Sequence, residues 1–152
     1  MGSTGQHLLA RVLRTRRLVR APIWLYRRGL GGLMGSRILM LEHIGRASGA
    51  QRFVCLEVVE RPASDTFVVV SGFGERAQWY RNLIANPQCW VTNGWSSRRP
   101  AHATAMNAAE SADALTRYQA AHSRAWDNLR GAIEQATGSP VTSLPMVRLE
   151  RS

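Results

Sequence analysis

Short apolar runs separated by turn-forming residues dominate the chain from residue 38 onward. Residues 38–43, 53–60, 66–71, 88–93, 101–106 and 146–150 are rich in Val, Leu and Phe and bounded by Gly, Pro, Ser or Asp, which predicts about six strands. Turns are expected at 61–65 and 96–100. Residues 75–85 read as a helix closed by Asn86-Pro87, since a proline cannot continue it. Asn107, with Glu110 three residues on, has the spacing of a capping box and opens a helical region that breaks near His122 and runs to about Thr137, before Gly138. Consecutive strands with few helical crossovers argue for an antiparallel sheet curling into a barrel with helices outside it. A dinucleotide-binding parallel sheet is disfavoured, because no GxGxxG follows a strand.

The N-terminal pattern is different. Across residues 6–20, Leu8, Leu9, Val12, Leu13 and Val19 recur at helical spacing while Arg11, Arg14, Arg17 and Arg20 take most other positions, a basic amphipathic helix with Arg16 intruding on its apolar face. Ala21-Pro22 interrupts it, and Pro22 suits the first turn of a new helix beginning Ile23, Trp24, Leu25, Tyr26. The expected organisation is therefore a basic helix over residues 1–21 and one domain over 22–152. A helix of this kind either lies on an anionic membrane surface or packs on the barrel or a second subunit.

A 152-residue chain that is 45% hydrophobic supports one core. It contains no apolar run of membrane-spanning length and no secretory signal, so the expected location is cytoplasmic, with peripheral attachment to the inner face of the plasma membrane as the alternative the basic helix raises. All 20 basic residues are arginines. Ten fall in residues 1–52 against the single acid Glu42, so the excess charge is concentrated near the start. A pI near 11.4 raises nucleic-acid binding, but no helix-turn-helix, RNP or zinc motif accompanies it. Cys55 and Cys89 read as packed thiols, and the scattered His7, His43, His102 and His122 lack metal-ligand spacing; no metal is expected.

Two loops carry candidate chemistry. Gly45-Arg46-Ala47-Ser48-Gly49-Ala50-Gln51-Arg52 joins two strands and offers glycines, a hydroxyl and two guanidinium groups suited to an anion; on residue chemistry alone it is equally an exposed hairpin with solvated arginines. Ser71-Gly72-Phe73-Gly74 lies between a strand and a helix, where small residues permit close ligand approach; an ordinary strand-to-helix turn reads the same way.

Taken together, Gly45-Arg46-x-Ser48-Gly49-x-x-Arg52, Ser71-Gly72-Phe73-Gly74 and Trp79-Tyr80-x-Asn82-Leu83-x-Ala85-Asn86-Pro87 resemble the signature of the deazaflavin-dependent nitroreductases, an actinobacterial-type family that includes F420H2-dependent quinone reductases. The resemblance covers residues 39–93 best. It implies an α+β split β-barrel, like that of FMN-binding oxidases, of about six mainly antiparallel strands with flanking helices. It also implies coenzyme F420, an 8-hydroxy-5-deazaflavin, as hydride donor to a quinone, enone or nitro compound. Gly45, Arg46, Ser48, Gly49 and Arg52 would hold the cofactor's phosphate and acidic tail, Ser71, Gly72, Phe73 and Gly74 would lie by the ring and phosphate, and Trp79 and Asn82 would support that wall. Many relatives have a lysine where this chain has Gly72, and Arg76 is the candidate replacement. Tyr118 and His122 are the candidate catalytic residues, and Trp126, Trp24 and Tyr26 the candidate substrate pocket. Split barrels also hold FMN, haem or lipids, which remain the alternatives; the expected partner is a small electron acceptor, and the expected assembly a monomer or homodimer.

Overall fold

Side chains alternate across a strand, so the parity of the apolar positions decides which faces turn inward. The computed structural model describes Ile23, Arg27, Arg28 and residues 37–152; the expected amphipathic helix, Trp24 and Tyr26 lie outside the described residues. In strand β1 (Ile38–Ile44), Leu39 and Leu41 point into the interior and are fully buried. Strand β2 (Gln51–Ala63) pairs with β1 on one side and with β3 (Thr66–Val70) on the other. The circuit continues from β3 to β6 (Met146–Arg151), to β5 (Arg99–Ala105), to β4 (Gln88–Asn93) and back to β1. Every pairing is antiparallel and the barrel is closed, which removes exposed sheet edges.

Two cores result. Leu39, Leu41, Phe67, Val69, Cys89, Val91, Val147 and Leu149 fill the barrel, joined by Trp79, Tyr80 and Leu83 of helix α1 (Gln78–Ala85). The opposite parity of β3 and β6, Val68, Val70 and Met146, packs outward against Ala114 and Tyr118 of helix α2 (Ala108–Ala121) and Trp126 and Ile133 of helix α3 (Ser123–Thr137). Residues 67–70 are continuously apolar because both faces of β3 are covered. Cys55 and Cys89 are free, and burial pushes both thiols up to about 12, as suits a packing role.

The caps anticipated from the sequence are present. The Glu110 amide donates to Asn107 Oδ1 at 2.8 Å, and the Asn107 amide to Glu110 Oε1 at 3.1 Å. His122 leaves helical geometry at φ −137°, ψ 57°, separating α2 from α3, and Gly138 ends α3 in the left-handed region.

Three boundaries differ from expectation. The helix expected over 75–85 is divided: Gly74–Arg76 forms one 3₁₀ turn, Ala77 is extended at φ −58°, ψ 133°, and α1 starts at Gln78. Strand β2 runs through the expected turn to Ala63, because register shifts at Val58/Glu60 and Glu60/Ala63 accommodate Pro62, and Arg61 Nη2 ties the hairpin at Ser64 O, 2.9 Å. Strand β5 begins earlier, at Arg99, since Pro100 lies opposite Trp90 and offers its carbonyl to the Ser152 amide at 3.0 Å.

Candidate cofactor-binding pocket

The loop between β1 and β2 is a closed turn. Its backbone is pinned by Gly45 N–H to Ala50 O and Gly49 N–H to Gly45 O, both 2.8 Å, and by the Ala50 amide to Ser48 Oγ at 3.2 Å. Gly49 adopts φ +71°, open to glycine at little cost. At Gly45 a Cβ would stand 2.8 Å from Ser48 Oγ, so the absent side chain makes room for that hydroxyl. Helix α1 then fixes the loop: Asn82 Oδ1 accepts from the Arg46 amide at 3.1 Å and from Arg46 Nη1 at 2.8 Å, while Arg46 Nη2 donates to Gln78 Oε1 at 2.9 Å.

This junction forms the mouth of a groove of about 760 Å³. Ile23, Phe53, Val54 and Trp79 give it an apolar wall; Ser48, Gln51, Gln78, Asn82 and His43 supply polar groups. Arg27, Arg46 and Arg52 also line it, with no carboxylate among the lining residues. Arg27 lies over the Phe53 ring, 5.2 Å from its centroid. The nearby Glu42 is committed elsewhere, accepting from Arg98 Nε at 2.8 Å and Nη2 at 2.7 Å. Three guanidinium groups thus share one concavity without an ion-pair partner among the described residues. All three are exposed, so water screens their mutual repulsion, and a phosphate or carboxylate entering the groove would meet three guanidinium donors.

His43 is 4% exposed, lies opposite Arg52 in the β1–β2 register and shares the inward parity of Leu39 and Leu41. Its Nδ1 is 3.0 Å from Asn82 Nδ2. Because Asn82 Oδ1 already accepts twice from Arg46, the amide orientation is determined and its NH₂ group donates to His43. The imidazole proton accordingly sits on Nε2. Burial, followed by the charge of Arg52, lowers the pKa of His43 to about 4 against a smaller opposing effect of Glu42, so the ring is neutral at pH 7.

The profile of the F420H(2)-dependent quinone reductase family matches residues 18–142. The chain belongs to this family. A Mycobacterium tuberculosis protein named as an F420H(2)-dependent quinone reductase is 40% identical over 76 residues, which is 49% of this chain and 62% of that protein, so the match spans less than two thirds of the relative. Among solved structures, an F420-H2 dependent reductase, FDR-A, superposes with a TM-score of 0.53 at 22% identity over 75% of this chain and 94% of its own. HutZ, a haem storage protein of Vibrio cholerae, gives 0.53 at 13% identity over 84% of this chain and 90% of its own. At such identities the likeness is one of fold, the split β-barrel.

Within this family member the groove brings together Gly45, Arg46, Ser48, Arg52, Trp79 and Asn82 of the residues named from the sequence. Sequence reasoning missed His43, Gln51, Phe53, Val54, Gln78, Ile23 and Arg27; the β1 alternation, which turns His43 inward, was the available signal for the first. Gly49 shapes the loop without lining the groove, and neither Ser71, Gly72, Phe73, Gly74 nor Arg76 lines it. Ser71 is fully buried and its hydroxyl donates to Gly74 O at 2.5 Å. A Cβ at Gly72 would meet Ile133 Cγ1 at 3.2 Å, so that glycine admits helix α3, while Gly74 holds φ +71° with open space around it.

Tyr118, His122 and Trp126 stand apart from the groove lining as well. Tyr118 and Trp126 belong to the core beneath α2 and α3, and His122 is exposed with its ring centroid 5.6 Å from that of Tyr118. The Tyr118 hydroxyl donates to Glu57 Oε1 at 2.5 Å; burial and this carboxylate raise its pKa well above the ordinary tyrosine value. Burial also raises the pKa of Glu57, against opposing effects from Tyr118 and Arg37.

Proposed function

We infer that this chain is an F420H2-dependent reductase that delivers hydride to a small electron-poor acceptor, a quinone in the first instance and an enone or nitro compound by extension. The observation that carries the reading is the trio Arg27, Arg46 and Arg52, without a carboxylate partner among the described residues, in a groove with one apolar aromatic wall, inside a chain of this family. Its volume falls within the range of about 300–1,000 Å³ usual for small-molecule sites, and its two chemistries match a ligand with an anionic tail and a flat ring system.

Arg46 and Arg52 hold the anionic part, with the Ser48 hydroxyl beside them; Arg46 is the better oriented, since Asn82 and Gln78 brace its guanidinium. Trp79, Phe53 and Val54 provide the surface that excludes water from the ring. The reduced deazaflavin supplies a hydride equivalent when bound, and the chain contributes orientation. The turn Ser71–Gly74 and Arg76 remain the proposed continuation of the cofactor wall beyond the groove, with half-exposed Phe73 at its surface. Tyr118 and His122, the catalytic candidates read from the sequence, lie outside the groove lining, and the Tyr118 hydroxyl donates to Glu57. No helix among the described residues is long and apolar enough to cross a membrane. The basic pattern of residues 6–20 supports a peripheral membrane placement for a lipophilic quinone, to be checked by cosedimentation with anionic vesicles.

The test is turnover. Purified full-length protein mixed with reduced F420 and a naphthoquinone should restore the absorbance of oxidised deazaflavin at a rate proportional to enzyme. Restoration no faster than in the protein-free mixture, with every acceptor class, contradicts the reading.

A further inference from the structure

The Nε2–H of His43 has no hydrogen-bond partner among the described residues, although the side chain is 4% exposed. Nε2 is not among the fully buried polar atoms that lack a partner, so solvent in the groove reaches it and a ligand group can take the place of water there. The ring lines the groove, so the open donor is available to whatever occupies that space. The same groove holds three arginines that select an oxyanion, and Arg52 is the cross-strand neighbour of His43. A second cation so close to Arg52 would be penalised, whereas a neutral N–H donor adds a directed hydrogen bond without adding charge.

We propose that His43 is a ligand-binding residue of this groove, donating from Nε2–H to an oxyanion of the bound cofactor, and that Asn82 is the positioning residue that selects the donor tautomer. The assignment rests on the cofactor reading above. Asn82 performs two tasks with one amide: its oxygen holds the Arg46 backbone and guanidinium, and its NH₂ group occupies the Nδ1 lone pair of His43. The orientation of Arg46 and the tautomer of His43 are therefore set by the same side chain, and an oxyanion meeting the guanidinium also meets a correctly presented imidazole N–H.

The side-chain amides of Asn and Gln separate the two nitrogens of the ring. In His43→Asn an acceptor for the Asn82 NH₂ group is retained near the Nδ1 position and the outer donor is lost; His43→Gln keeps a donor near the Nε2 position. With both variants shown to be folded by circular dichroism, oxidised F420 should bind His43→Asn about tenfold or more weakly than the wild type and His43→Gln with most of that loss restored. In ¹⁵N-labelled wild-type protein the His43 ring should show protonated Nε2 and unprotonated Nδ1, and the Nε2 resonance should move on adding F420. Equal affinity of wild type and His43→Asn, or an Nδ1–H tautomer, overturns the proposal. If wild type fails to bind F420, the cofactor reading falls separately, and inorganic pyrophosphate becomes the probe: an Nε2 shift lost in His43→Asn supports the site, and no shift overturns it.

Discussion

Two polar clusters, each anchored on a buried side chain, border the barrel, and they differ in what each leaves open. At the β1–β2 loop, Arg46, Asn82 and His43 are joined by hydrogen bonds, while the arginines have no carboxylate partner and His43 Nε2 no hydrogen-bond partner among the described residues. Beneath α2, Tyr118, Glu57 and Arg37 close on themselves: the phenol donates to the carboxylate, and Arg37 Nη2 lies 3.5 Å from both Glu57 Oε1 and Tyr118 Oη. The first leaves donors open toward the groove and the second spends its own on one another. Perturbation at the first should therefore register in binding, and at the second in stability.

The largest effect is expected from removing the anion contacts. A charge-assisted contact is worth about 1.5–3 kcal/mol, so each of Arg46→Ala and Arg52→Ala should weaken F420 binding about tenfold or more, and the double variant about a hundredfold or more. Fluorescence titration measures this, and unchanged affinity in both single variants would remove the loop from the site. Arg46→Ala should exceed Arg52→Ala, because it also releases Asn82 and with it the His43 tautomer.

Acid separates the clusters by sign. The pKa of His43 falls from 6.5 to about 4 on folding, so the unfolded chain takes up the proton first and the stability contributed by the neutral ring is lost as pH drops from 6.5 toward 4. That amounts to on the order of 3 kcal/mol, and chemical denaturation of His43→Gln should lack this slope. For Glu57 the pKa is raised, so the folded chain takes up the proton first and stability is gained as pH falls through the range just above the ordinary glutamate value. A common slope in wild type and His43→Gln would mean that His43 is not held neutral.

A smaller effect is expected at the closed cluster. Tyr118→Phe deletes the donor to Glu57 and should cost about 1–2 kcal/mol in denaturant melts, shift the Glu57 contribution to higher pH, and leave F420 affinity within about twofold. A large loss of affinity in a folded Tyr118→Phe protein would blur the contrast and restore Tyr118 to the cofactor site.

The same contrast explains what the sequence disclosed. The barrel was legible because inward parity repeats along each strand, and the continuous apolar run at 67–70 marks a stretch covered on both faces. Arg46, Ser48 and Arg52 were legible because one loop carries them all. His43 was legible only as an inward position of β1, since its hydrogen-bonding role depends on Asn82, 39 residues away and on a different element. Gly72 was legible as a small residue but not for its reason, which is Ile133 of α3 packing against it. The division at Ala77 escaped notice because it is a backbone conformation, φ −58° and ψ 133°, at a residue with high helix propensity.

Whether the arginine-lined groove is a deazaflavin site is decided by titrating the full-length protein with oxidised F420, against FMN as competitor. Saturable binding is expected that weakens as salt is raised, is lost in the Arg46→Ala, Arg52→Ala double variant and is little affected by equimolar FMN. Absence of binding, or displacement of F420 by equimolar FMN, would contradict the deazaflavin reading.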